Sequence, residues 1–125
     1  MLRIVLATVR QEVFHPFADG LASDPWVRLD QVSSGAEALS AVRNDSPHLV
    51  IIDSALPDME PLHVVQQLLM VNAMVNTAVV SPLSKQEFHE ASEGLGVLAR
   101  LPLMPGNNDA TELLRKLRQV LGLSN

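Results

Sequence analysis

The chain of 125 residues contains no cysteine, which excludes a disulfide framework, a thiolate nucleophile and any metal site built on cysteine. It also lacks a cluster of basic residues: 9 Lys and Arg stand against 14 Asp and Glu, and the net charge is -5. This balance argues against nucleic acid as a direct partner. The longest apolar runs are only strand-sized, and the N-terminus lacks the pattern of a signal peptide. We therefore expect a soluble, cytoplasmic protein that does not bind membranes.

Motifs for nucleotide and metal chemistry are missing as well. No G-x-x-x-x-G-K-[ST] or G-x-G-x-x-G loop is present, so nothing in the sequence supports nucleotide binding. The histidines do not have the spacing of metal ligands, and isolated histidines are more often surface or capping residues; they are His15, His48, His63 and His89. We expect neither a cofactor nor a bound metal.

What is present is a regular alternation of strand-like and helix-like segments. The strand-like segments are residues 3–7, 26–32, 49–53, 77–81 and 97–101, and each is followed by turn residues and helical periodicity. This alternation predicts a single α/β domain over residues 1–125, with a mostly parallel sheet covered by helices on both faces. The second and fifth segments carry charged residues in alternation, so we expect them at the edges of the sheet.

Capping residues indicate where the helices begin. Ser34, Ser84 and Asp109 each precede a Glu by three residues, a spacing that lets the two residues cap a helix end reciprocally. Pro61 suits the first turn of another helix, and the first helix is expected to begin near Pro16, which interrupts its pattern. The last helix carries an apolar stripe that another layer must cover, formed by Leu113, Leu114, Leu117, Val120 and Leu121.

Asp53 is the residue that most clearly suggests a functional site. It ends the apolar run Leu49-Val50-Ile51-Ile52 and begins a loop that contains Pro57. In open parallel sheets, ligand chemistry gathers at the carboxyl ends of the central strands. Ser81 ends the next central segment and is expected at the same edge. An Asp at a strand end is also common as a turn former that accepts local backbone hydrogen bonds, and Ser81 can equally be a loop residue.

Several motifs together resemble the receiver domain of bacterial two-component response regulators. They are Ser33-Ser34-Gly35-Ala36-Glu37-Ala38-Leu39, residues 49–53, Leu56-Pro57-Asp58-Met59 and Leu101-Pro102. The resemblance covers essentially the whole chain. It implies a flavodoxin-like, doubly wound sheet of five parallel strands in the order 2-1-3-4-5. It also implies a phosphoryl switch, in which an aspartate takes a phosphoryl group from a phosphohistidine, assisted by magnesium, a lysine and a hydroxyl residue.

The resemblance matches Asp53 to the phosphoacceptor and Ser81 to the hydroxyl residue that contacts the phosphoryl group. The acidic pair that holds magnesium is replaced by Ala7 and Thr8, and the lysine of the fifth strand end is replaced by Leu101. Phosphoryl transfer depends on positioning and on neutralising charge, so these losses indicate a degenerate receiver. One carboxylate with a loop carbonyl is a poor magnesium site.

Further differences surround the candidate site. Leu98 stands where the family has the aromatic residue that senses phosphorylation, and Pro61 stands where it has a glycine. Arg10 follows the missing acidic pair closely. We expect its side chain to reach Asp53 and to replace the charge of the absent metal.

Three functions follow from these observations. The first is a non-enzymatic module of a two-component or phosphorelay pathway that acts through protein–protein contacts. Its partner would be a histidine kinase, an output protein or a second copy of the chain, bound to the fourth helix, fifth strand and fifth helix, where Phe88, Leu95 and residues 101–105 add hydrophobicity. The second is a working phosphoacceptor, phosphorylated on Asp53 by a histidine kinase. The third is a flavodoxin-like protein that binds a small ligand.

Overall fold

The computed structural model describes residues 1–123, and residues 124 and 125 of the predicted domain lie outside the described residues. Strands and helices alternate along this part of the chain. The elements are β1 (Leu2–Ala7), α1 (His15–Ala22), β2 (Val27–Val32), α2 (Gly35–Asn44), β3 (Leu49–Ile52), α3 (Pro61–Val71), β4 (Asn76–Val80), α4 (Lys85–Ala91), β5 (Ala99–Leu101) and α5 (Asn107–Val120).

All strand pairs are parallel, and the order in the sheet is β2-β1-β3-β4-β5. This order confirms the predicted five-stranded, doubly wound, flavodoxin-like fold. It also confirms that the two charged strands, β2 and β5, form the edges. No helix within residues 1–123 combines the length and the apolar character needed to cross a membrane.

The sheet separates two apolar cores, because the side chains of successive strand residues point to opposite faces. On one face, Ile4 and its neighbours pack with Phe17 of α1 and Leu117 of α5. On the other face, Val5 and its neighbours pack with residues of α2, α3 and α4, including Val64. Helices therefore cover both faces, as the apolar patterns predict.

The ends of the strands differ by at most two residues from the predicted boundaries. The largest difference among the strands is in β5, which begins at Ala99 instead of Val97. Gly94 and Gly96 precede it with left-handed φ values of 84° and 64°, and this turn delays the start of the strand. Helix α1 begins beside Pro16, as expected.

Three predictions for the later helices had different outcomes. Ser84 and Glu87 form the predicted reciprocal cap of α4. The predicted start of α5 at Asp109 is wrong, because Asp109 lies inside the first turn and its carboxylate accepts a hydrogen bond from the Gly106 backbone N–H at 2.8 Å. Val120 was expected in the apolar stripe but is 57% exposed, whereas Leu121, the next residue, packs against the core.

Helix α2 is capped from two sides. Ser34 Oγ accepts a hydrogen bond from the Glu37 backbone N–H at 3.0 Å. Asp58, from the loop after β3, accepts hydrogen bonds from the N–H groups of Gly35 at 2.9 Å and Ala36 at 3.0 Å. These backbone hydrogen bonds lower the pKa of Asp58. Two motifs that carry the family resemblance are thus in contact, and their contact positions the loop after Asp53.

Gly20 lets α1 approach α5 closely. A Cβ atom at Gly20 would lie 2.9 Å from Ala110 Cβ and 2.8 Å from Asn107 Oδ1. Alanine is favoured over glycine in a helix by about 1 kcal/mol, but overpacking costs about 1–3 kcal/mol. We therefore expect Gly20→Ala to lower the free energy of unfolding by about 1 kcal/mol, measured by urea denaturation. The cost of Gly20→Ala should be smaller when Ala110 is also replaced by glycine, and strictly additive effects of the two substitutions would contradict the steric explanation.

Candidate functional site

Backbone pairing continues one residue past the strands at the carboxyl edge of the sheet. The Asp53 N–H donates to the Ala7 carbonyl at 2.9 Å, and the Ser81 N–H donates to the Leu101 carbonyl at 3.0 Å. Thr8, which follows β1, lies beside Asp53. The site is therefore formed where β1 and β3 meet, which is the point at which the strand order reverses and where ligands bind in open α/β sheets.

Asp53 is fully buried, with a relative exposure of 0%, and both of its carboxylate oxygens accept hydrogen bonds. Oδ2 accepts from Thr8 Oγ1 at 2.7 Å and from Arg10 Nε at 2.9 Å. Oδ1 accepts from Arg10 Nη2 at 2.7 Å and from the Ser54 backbone N–H at 2.6 Å. The carboxylate is thus held on both oxygens by a bidentate arginine.

Arg10 is itself fixed by several groups. Its Nη2 also donates to the Leu103 carbonyl at 3.0 Å, and its guanidinium carbon lies 5.3 Å from the centre of the buried Phe14 ring. Its backbone N–H donates to Thr8 Oγ1 at 2.9 Å. These contacts confirm that Arg10 reaches Asp53. That its charge replaces the charge of a metal remains a prediction.

The pair is charged at neutral pH. Burial would raise the pKa of Asp53, but the hydrogen bonds from Arg10, Thr8 and the Ser54 backbone outweigh burial and hold this pKa below its usual value. The hydrogen bond to Asp53 raises the already high pKa of Arg10. Bidentate, charge-assisted pairs of this kind are stronger than neutral hydrogen bonds.

The residues around Asp53 do not fit magnesium, which the receiver family uses. Magnesium needs an octahedral set of oxygen ligands. Ala7 offers no side-chain ligand, the Thr8 hydroxyl donates its proton to Asp53, and Arg10 places a cation on both carboxylate oxygens. Within residues 1–123, no group of three His, Cys, Asp or Glu side chains could hold a metal ion.

Ser81 is 7% exposed, and its Oγ accepts a hydrogen bond from the Leu83 backbone N–H at 3.1 Å. In the described part of the chain, no hydrogen bond joins Ser81 to Asp53. The structure thus brings Thr8 and Arg10 to the carboxylate and leaves Ser81 in the turn after β4, where it stabilises the loop. Its role as a phosphoryl contact remains a prediction.

The apolar residues predicted to enrich the surface of α4, β5 and α5 are largely buried. Phe88 is 6% exposed and packs in the core under α4, and Leu101 is 4% exposed in the place of the family lysine. In the loop after β5, Leu103 and Met104 are exposed by 40% and 75%. Of the apolar residues named in the prediction, only Leu103 and Met104 are exposed, because the others are buried or half-buried.

Several groups that hold Asp53 or Arg10 in place could not be identified from the sequence. Thr8 counted only as a missing acid, although a hydroxyl residue at the end of a central strand was a usable signal. Phe14, whose ring packs against the Arg10 guanidinium, was not recognised as part of the site. The Ser54 N–H and the Leu103 carbonyl are backbone groups, which every sequence supplies and which only the fold brings together.

Comparison with known proteins relates this chain to others by structure. No protein-family model matches the chain, and no curated protein is significantly similar to it in sequence. A CheY-like receiver domain protein from Methanospirillum hungatei superposes with a TM-score of 0.83 at 18% identity, covering 98% of both chains. The response regulator domain of Thermotoga maritima CheB gives 0.76 at 15% identity and covers 100% of this chain and 99% of its own.

The signal receiver domain of NarL from Mycobacterium tuberculosis gives a TM-score of 0.79 at 14% identity, covering 94% of this chain and 96% of its own. Such low identities establish the fold and leave the chemistry of the site to be argued from its own residues. Similarity along the full chain, the strand order and the position of Asp53 all agree with the resemblance predicted from the motifs. The chain therefore has the fold of the CheY-like receiver domains of response regulators.

Proposed function

We propose that this protein is a receiver-type signalling module of a two-component or phosphorelay pathway that does not use the phosphoryl switch. In this proposal the module is not an enzyme, works in the cytoplasm and acts by binding other proteins. The observation that carries the proposal is the bidentate contact of Arg10 with the buried carboxylate of Asp53. Arg10 gives Asp53 a fixed partner where a receiver of the ordinary kind would bind metal and phosphoryl group.

The contact opposes phosphorylation for a geometric reason. A carboxylate that attacks phosphorus must present one oxygen in line with the bond that breaks. Both oxygens of Asp53 accept charge-assisted or short hydrogen bonds, and the side chain is 0% exposed. Its lowered pKa also makes it a weaker nucleophile.

Charge opposes phosphorylation as well. An acyl phosphate on Asp53 would carry about two negative charges in place of the one on the free carboxylate, and the receiver family balances them with magnesium and a lysine. Here the carboxylate has Arg10 as its cation, and the lysine position holds the buried Leu101. A phosphoryl group on Asp53 would have to displace Arg10 and would leave most of its own charge uncompensated.

The partner surface proposed is α4, β5 and α5. A shallow depression of about 360 Å³ lies there, lined by apolar residues of β5 and the segment before it and by Lys85, Arg100 and Lys116. Three of the 9 basic residues thus surround one depression on a chain of net charge -5. This pattern favours a partner with acidic side chains, which can be a histidine kinase, an output protein or a second copy of the chain.

The alternative is a working phosphoacceptor at Asp53. It is favoured by the position of Asp53 at the end of β3 and by Ser81 at the end of β4. In this alternative, Arg10 would leave the carboxylate when magnesium and a phosphodonor arrive.

Titration with magnesium and beryllofluoride, followed by backbone NMR, distinguishes the two functions. We expect no magnesium-dependent shifts at Asp53 and Ser81, because Arg10 occupies the carboxylate. Incubation with acetyl phosphate and magnesium should likewise leave the intact mass unchanged. Saturable shifts centred on Asp53, or a mass increase of one phosphoryl group that is absent in Asp53→Asn, would establish the phosphoacceptor instead.

A further inference from the structure

A cavity of about 510 Å³ lies between α3 and α4, at the carboxyl end of β4. This volume is within the range of sites that hold small organic molecules, which is about 300–1,000 Å³. Its walls include Leu62, Val79, Leu83 and Phe88. The cavity lies at the edge of the sheet where open α/β proteins bind their ligands.

Few polar side chains line the cavity, and the Ser81 hydroxyl is the one that concerns ligand binding. Ser81 lines it, is 7% exposed, and its Oγ accepts a hydrogen bond from the Leu83 N–H. The Ser81 hydroxyl donates its own proton to no residue in the part of the chain that the structure describes. This buried side chain therefore offers one free donor in a mostly apolar space, and a ligand with a suitable acceptor can satisfy it.

The charge of the cavity excludes some ligands. Among residues 1–123, no Lys, Arg or His side chain lines it, and Glu60 stands at its wall. The guanidinium of Arg10 is taken by Asp53. An anion such as a phosphate ester or a fatty acid would find no counter-charge, and the net charge of -5 would oppose its approach.

We propose that this cavity is a binding site for a small, largely apolar molecule without a negative charge that carries a hydrogen-bond acceptor, such as a carbonyl oxygen, for the Ser81 hydroxyl. Ser54 also lines the cavity, and its N–H holds Asp53 Oδ1 at 2.6 Å. Leu83 lies just before the cap of α4. The cavity is therefore in contact both with the Asp53 site and with the segment that precedes α4. The binding site does not depend on whether Asp53 accepts a phosphoryl group.

The test uses prodan, an uncharged naphthalene with a carbonyl oxygen, whose emission shifts to shorter wavelength in an apolar site. We expect saturable binding of one prodan per chain. Leu83→Trp, which places a larger side chain at the wall of the cavity, should weaken binding at least tenfold. Leu103→Trp is the matched control, because Leu103 is a loop leucine of similar exposure, 40% against 36%, that does not line the cavity. It should change binding less than twofold.

Ser81→Ala tests the hydrogen bond. Its loss should weaken prodan binding by about three- to tenfold, with folding checked by circular dichroism. Backbone NMR should place the prodan-induced shifts at Leu62, Leu83 and Phe88, and not at Trp26 on the opposite edge.

The proposal is overturned if prodan does not saturate, if both tryptophan variants weaken binding equally, or if the shifts cluster elsewhere. Unchanged binding in Ser81→Ala would overturn the assignment of the donor. Equally tight binding of the anionic probe anilinonaphthalene sulfonate would overturn the assignment of ligand charge. Phosphorylation of Asp53 would refute the proposed function and leave this binding result intact, so the two failures are distinguishable.

Discussion

Replacing Arg10 by alanine is expected to lower the free energy of unfolding by about 3 kcal/mol or more, because it leaves the carboxylate of Asp53 buried without its cation. Asp53 is 0% exposed in the intact protein. Thr8 and the Ser54 N–H would still donate to it, but neither carries a charge. Urea denaturation followed by circular dichroism measures the difference.

Two comparisons separate this explanation from a general effect of losing an arginine. Arg28→Ala removes a cation 3.6 Å from Asp30, where both side chains are more than half exposed, and should cost at most about 1 kcal/mol. Adding Asp53→Asn to Arg10→Ala should restore much of the lost stability, because it removes the unpaired charge. If Arg10→Ala costs no more than Arg28→Ala and leaves the NMR signals of Asp53 unchanged, Arg10 does not have the role assigned to it.

The contribution of Asp53 to the pH dependence of stability should have opposite signs in the unmodified protein and in Arg10→Ala. In the unmodified protein, the pKa of Asp53 lies below its value in the unfolded chain, so the contribution of the pair is present at neutral pH. It is lost as the pH falls below about 4 and through the folded pKa. In Arg10→Ala we expect burial to dominate and raise this pKa, so acidification relieves the penalty. The difference in the free energy of unfolding between the unmodified protein and Arg10→Ala should therefore become smaller as the pH falls. A difference that does not change with pH would contradict this explanation.

A second large effect is expected from restoring the residues that the receiver family uses. A variant with Ala7→Asp, Thr8→Asp, Arg10→Ser and Leu101→Lys regains the acidic pair and the lysine and frees the carboxylate of Asp53. Each group that stabilises charge in a transition state contributes about 10²–10³-fold to rate. We therefore expect phosphorylation by acetyl phosphate and magnesium to rise by at least about 10²-fold over the unmodified protein. Intact-mass spectrometry over time measures it.

The control for this variant is the same set of substitutions with Asp53→Asn, which should acquire no phosphoryl group. Treatment with hydroxylamine should remove the added mass, because it cleaves acyl phosphates. Circular dichroism must show that the variant keeps the fold, since Leu101 is buried and its replacement by lysine is demanding. A folded variant that still gains no phosphoryl group on Asp53 would contradict the prediction that the missing acidic pair and lysine prevent phosphorylation.

Apolar runs and capping residues predicted the central strands and a helix start, because these features depend on neighbouring residues in the chain. The continuously apolar runs around Val5, Val50 and Val79 led to central strands, because strands buried on both faces need apolar residues throughout. The cap at Ser84 was equally legible. The start of α5 was misjudged because Asp109 can accept a hydrogen bond from either side of a helix end, and only the packing of α5 on the sheet selects one.

The features of the site likewise divide into those that the sequence predicted and those that only the folded structure shows. The position of Asp53 at a strand end and the proximity of Arg10 followed from the order of residues and the topology of a parallel sheet. The role of Thr8 did not, because a hydroxyl can donate, accept or face solvent. Thr8 here accepts from the Arg10 backbone and donates to Asp53, an arrangement that needs all three groups placed within hydrogen-bonding distance.

The sequence by itself determined the alternation of strands and helices, the burial of the central strands and the place of the aspartate, since these depend on periodicity and on chain connectivity. The full strand order was implied by the resemblance to receiver domains. The tertiary structure alone decided that Arg10 closes off both oxygens of Asp53 and that the Leu103 carbonyl fixes the same guanidinium. It also decided that Ser81 lines a cavity and that its hydroxyl proton has no acceptor among the described residues. These contacts join residues far apart in the chain. Their energies depend on distance and burial, which folding alone creates.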